Sequence, residues 1–130
     1  MGKGSAVGTL QVATVITKTT QTLMGAEVKC AGYDFITLFL DYVKGDETGV
    51  LVQAHFLWAT GGTEYQDQDW TAAAGTKSST ANEYTATASG NHYITFDLRG
   101  QDFVRFTQGG SNNDGTPTGT LAATYLMKGW

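Results

Sequence analysis

Three carboxylates fall within six residues, at Glu64, Asp67 and Asp69. Oxygen ligands at that density could hold a Ca²⁺ ion weakly. The segment lacks the central glycine and closing glutamate of an EF-hand loop, so a solvated acidic stretch is the competing reading. Two of these carboxylates could also serve glycoside hydrolysis, but nothing in the sequence sets a pair about 5–10 Å apart across a cleft. Asp46 and Glu47 lie between Gly45 and Gly49, and this spacing reads as turn chemistry.

Other reactive groups are sparse. The histidines are His55 and His92, and the lone cysteine is Cys30. His55 sits in an alternating apolar run, opposite in phase to Phe56, and His92 opens another run beside a turn. No serine occupies a G-x-S-x-G elbow, and Cys30 has no histidine near it in sequence. Cysteine and histidine are too few for a zinc site built on those residues. No enzymatic activity, cofactor or transition metal is expected. The glycine-rich stretch 109–119 lacks the order of a phosphate-binding loop and reads as a connection at one end of the domain.

Aromatic residues offer a further chemistry. Trp58, Tyr65 and Trp70 could stack on sugar rings, as in a carbohydrate-binding sandwich module. Trp58 shares the phase of Val52 and Phe56, however, which assigns it to a core. Tyr65 and Trp70 are an odd number of residues apart, so a regular strand would send them to opposite faces. The chain opens on Met1 and is expected to be complete, which also weighs against a module.

Composition fixes what must position these groups. The chain has 130 residues, 17 glycines, one proline and only 15% charged residues. Its length fits a single β-sandwich domain spanning 1–130, with an ordered N-terminal arm at 1–8. The net charge is −4 and the eight basic residues are scattered, a balance that repels phosphate backbones and argues against nucleic acid. No apolar run approaches the ~18 residues of a membrane helix. One cysteine and no visible signal peptide suit a reducing cytosol.

Alternating patterns predict strands over 8–17, 26–30, 33–43, 49–58, 82–88, 92–98, 102–108 and 120–127. The polar segment 63–70 is read as an edge strand or a loop. The runs on either side of 44–49 read as one long antiparallel hairpin. Leu10, Val12 and Ile16 share one face of the first strand. The expected core holds Ile36, Leu38, Leu40, Val52, Phe56, Trp58, Ile94, Phe96, Val104 and Phe106. Eight or nine short strands with frequent turns predict an all-β, jelly-roll-like antiparallel sandwich.

The segments 40–48 (LDYVKGDET) and 119–126 (GTLAATYL) carry a resemblance. Together with the strands between them, the chain resembles the small jelly-roll virion proteins of tailed bacteriophages, in particular capsid decoration (cement) proteins. The resemblance implies a subunit without a cofactor, clustered as a homo-oligomer with a trimer favoured. It would bind the major capsid protein or another virion protein after assembly in the host cytoplasm. A head–tail or fibre-associated component is a related alternative, and the carbohydrate-binding module is the alternative of a different class. Trp130 is large and apolar at the end of the chain, and the glycine-rich start needs a partner to hold it. Met1, Gly2, Lys3, Val7 and Trp130 are therefore the expected contacts with another chain.

Overall fold

The computed structural model describes residues 4–16, 21–57, 82–98, 100–111 and 117–129. Eight strands occur among them: β1 (Ser5–Val15), β2 (Thr22–Lys29), β3 (Phe35–Val43), β4 (Val50–Leu57), β5 (Glu83–Ala86), β6 (Gly90–Asp97), β7 (Phe103–Gly110) and β8 (Thr120–Lys128). They form two four-stranded antiparallel sheets, β1-β8-β3-β6 and β2-β7-β4-β5. First pairs with last, second with seventh, third with sixth and fourth with fifth. That nested pairing is a long hairpin rolled up into two sheets, the jelly roll.

The roll changes one expectation. β3 and β4 alternate as expected, but they are not partners. β3 pairs with β6 and β8, while β4 pairs with β5 and β7. The segment 44–49 therefore carries the chain from one sheet to the other. Local alternation reports which face of a strand is buried, but it does not report the partner.

The core lies between the sheets. Ile36, Leu38, Leu40 and Tyr42 of β3 are buried, as are Val50, Val52, Ala54 and Phe56 of β4. Phe96 and Phe106 meet across it with ring centroids 5.7 Å apart. Val104 is buried as well, and Ile94 is partly buried against the same cluster. Trp58 lies outside the described residues.

The first strand departs from strict alternation. Leu10 and Ile16 are buried, but Val12 is 74% exposed. The β1–β8 register shifts between Thr9 and Gln11 and again between Gln11 and Thr14. Each extra residue reverses the phase locally, so Val12 turns outward and the chain comes back inward by Ile16. β2 also begins earlier than expected, at Thr22, with a register shift between Met24 and Val28. Gly25 in that shift has φ of +63°, and a side chain there would strike the Leu10 carbonyl oxygen. Glycine is required at this close approach of β2 to β1.

Candidate interaction surface

Two built features stand out, one polar and buried, the other apolar and exposed. The first is a clasp around Glu47. Glu47 is 1% exposed. Oε2 accepts from the Tyr42 hydroxyl at 2.5 Å and the Gly45 amide at 2.9 Å. Oε1 accepts from the amides of Thr118 at 3.1 Å and Gly119 at 2.9 Å. Burial by itself would raise this carboxyl. The bonds from Tyr42 and from the amides of Gly45, Glu47 and Gly119 outweigh it and lower the pKa to about 2.

Close packing explains the glycines here. A side chain on Gly119 would meet Glu47 Oε2 at 2.3 Å and the Val43 carbonyl oxygen at 2.6 Å. The Asp46 amide donates to Thr118 Oγ1 at 2.9 Å, tying the crossover to the chain entering β8. The two sequence segments 40–48 and 119–126 are thus one structural unit. Asp46 and Glu47 were expected as turn residues alike. Asp46 is exposed, whereas Glu47 is an internal anchor. The sequence signal that could have separated them is Tyr42, an inward residue of β3 whose hydroxyl needs a buried partner.

The second feature is the outer face of β1-β8-β3-β6. Side chains that alternate away from the core include Val7, Phe39, Val43 and Tyr93, all exposed. Registers set them in rows: Val7 beside Leu126, and Thr9 beside Thr124, Phe39 and Tyr93. An outward sheet face is ordinarily polar. β1 adds to this apolar character. It is an edge strand of 11 residues, SAVGTLQVATV, with no charged residue and no proline. Val7, Val12 and Val15 are exposed by 75%, 74% and 57%. An edge strand without charge or proline invites pairing; the two register shifts blunt β1 between Thr9 and Thr14 and leave the stretch around Val7 regular.

Cys30, His55 and His92 are each engaged in hydrogen bonds. Cys30 is buried, and its thiol donates to the Gln101 carbonyl at 3.3 Å. Burial, then the nearby Asp102 charge, pushes it up to about 12, so it is no thiolate at neutral pH. His92 Nε2 donates to the Ala88 carbonyl at 2.8 Å, and its Nδ1 lies 3.2 Å from the Tyr84 hydroxyl. His55 Nε2 bonds Thr107 Oγ1 at 2.8 Å, and Thr107 in turn donates to Gln21 Oε1 at 2.9 Å. Among the described residues, no group of three His, Cys, Asp or Glu side chains could hold a metal ion.

Several expected site residues lie outside the described ones: Glu64, Asp67 and Asp69 of the Ca²⁺ reading, Tyr65 and Trp70 of the sugar platform, and Met1, Gly2, Lys3 and Trp130 of the contact set. Of the expected arm at 1–8, residues from Ser5 onward belong to β1 and pair with β8, Ser5 opposite Lys128. Val7 is therefore presented by a strand.

The eight strands among the described residues define a jelly-roll sandwich. Among solved structures, the SPBc2 prophage-derived protein YomS is similar over 95% of this chain and 91% of that protein, with TM-score 0.53 and 15% identity. Two structures of the Tobacco streak virus coat protein align over 98% of this chain and 87% and 86% of theirs, with TM-scores of 0.42 and 0.44 and identities of 10% and 11%. At 15% identity, the likeness to YomS bears on the fold. No family model and no curated protein sequence matches the chain.

Proposed function

We propose that this chain is a non-enzymatic structural protein of a virion, and within that class a capsid decoration or cement subunit of a phage head. The observation that carries the reading is the charge-free edge strand β1 with its exposed valines. Such an edge is a liability in a lone domain and a contact in an assembly. The jelly-roll fold, shared with a prophage-derived protein, supports the same class. The buried Cys30, protonated at neutral pH, is a poor nucleophile, which supports a role without cysteine catalysis.

In this reading subunits associate as a homotrimer through Val7, with Met1, Gly2, Lys3 and Trp130 as further proposed contacts, and dock on the major capsid protein. Each contact would need on the order of 800 Å² per partner to be stable. The acidic net charge leaves no part for nucleic acid, and assembly takes place in the host cytoplasm. The test combines light scattering with co-sedimentation on capsids of the encoding phage. A trimer that sediments with capsids, and a Val7→Lys variant that folds but does neither, is the expected result. A monomer that stays in the supernatant overturns the proposal. Sedimentation with tails or fibres instead would move the protein to the head–tail or fibre class.

A further inference from the structure

The outer face of β1-β8-β3-β6 is not uniformly apolar. Beyond the Val7 row it dips into a hollow of about 630 Å³, within the range of small-molecule sites. The register shifts of β1 shape one wall, since Gln11 and Val12 both line the hollow. Bulges bend a strand and re-aim its side chains. The Gln11 Nε2 donates to the Leu121 carbonyl at 2.8 Å, which fixes the orientation of its amide.

Two adjacent rows of opposite character form the floor. In one, Phe39 and Tyr93 are cross-strand partners with ring centroids 6.5 Å apart and planes tilted by 36°. Tyr93 is 71% exposed and Phe39 45%, far more than packing aromatics need. In the next outward row, Asp41 stands opposite Asn91, and both are exposed. An aromatic shelf thus borders a carboxylate and an amide on the same face. Among the described residues, the hollow is lined by one carboxylate and by no lysine or arginine. Anions, phosphates included, have no counter-charge there.

The geometry points to a binding site for a neutral pyranose ring, one unit of a glycan chain. A pyranose is apolar on its C–H faces and carries hydroxyls around its edge. Its C–H groups suit the electron-rich face of Tyr93 or Phe39. Its hydroxyls can donate to Asp41 and exchange hydrogen bonds with Asn91. The residues of this site are not the Trp58, Tyr65 and Trp70 set that the sequence suggests. It stands whether or not the protein decorates a capsid.

The test is a glycan array of neutral hexose and N-acetylhexosamine chains, followed by saturation-transfer NMR with the best disaccharide. Binding is expected to weaken roughly tenfold or more in Tyr93→Ala, to survive in Tyr93→Phe, and to weaken severalfold in Asn91→Ala. Leu23→Ala, on the other sheet and outside the hollow, is expected to bind sugar like the parent. A flat array overturns the site, as does binding that ignores both Tyr93→Ala and Asn91→Ala. Saturation by sodium decanoate with none by any sugar would make the hollow an aliphatic site and overturn it equally.

Discussion

Strand β3 pairs with β6 on one side and β8 on the other through unbroken registers, whereas β1, on the far side of β8, shifts register twice. Both strands belong to one sheet and both carry apolar side chains at alternate positions. The difference lies in their neighbours. A central strand is held from both sides, so an inserted residue would break two ladders. An edge strand has one free side and can absorb extra residues at the cost of a local bend. β3 consequently keeps one face in the core along its whole length, through Ile36, Leu38, Leu40 and Tyr42, whereas β1 loses its inward phase at Val12.

The largest expected effect breaks the central strand. Leu38 is fully buried, and Leu38→Ala should cost about 2–5 kcal/mol from lost transfer energy and a residual cavity. Denaturant melts would measure it, and a loss under about 1 kcal/mol would mean that the sheets can close over the gap.

Next in size is the clasp that joins β3 to the entry of β8. Glu47→Gln replaces an acceptor-only group with one that presents N–H donors to backbone amides. A loss of about 2–3 kcal/mol is expected, as for hydrogen bonds to a buried charge. The pH dependence has a defined sign. With the folded carboxyl at about 2 against an ordinary value of 4.5, the native state holds fewer protons than the unfolded one between those values. The stabilisation is complete above about pH 4.5 and is lost as pH falls toward about 2. Melts of the parent and Glu47→Gln should therefore converge in acid. Parallel curves across that range would remove Glu47 from the cause.

The smallest effect sharpens the contrast. Val12 shares its residue type and its apparent phase with core positions, yet Val12→Ala should change monomer stability by no more than about 0.5 kcal/mol, as for an exposed site. A cost of 1.5 kcal/mol or more would place Val12 inside and deny the bulge.

Legibility in the sequence follows the same division. Strict alternation in 33–43 and 49–58 made the inward residues of β3 and β4 readable, because period two survives wherever a strand is regular. The partner of each strand was not readable, since pairing in a jelly roll joins residues far apart in the chain: Phe35 meets both Asp97 and Lys128. Val12 was misplaced because an inserted residue leaves no mark in composition. The role of Glu47 was hidden for another reason: its partners Thr118 and Gly119 are remote and offer backbone amides, which every residue type carries. The sugar hollow was unreadable because Phe39 and Tyr93 become neighbours only once β3 and β6 pair.

Amide hydrogen exchange along β1 and β3, followed over a range of protein concentration, tests most directly whether the free edge is an assembly contact. β3 amides are bonded on both sides and should be protected at every concentration. Amides of β1 that point away from β8 should exchange quickly in dilute protein and become protected as concentration rises, and Val7→Lys should abolish that gain. Fast exchange of those β1 amides at all concentrations, in a protein whose mass remains that of a monomer, would contradict an edge built to be covered.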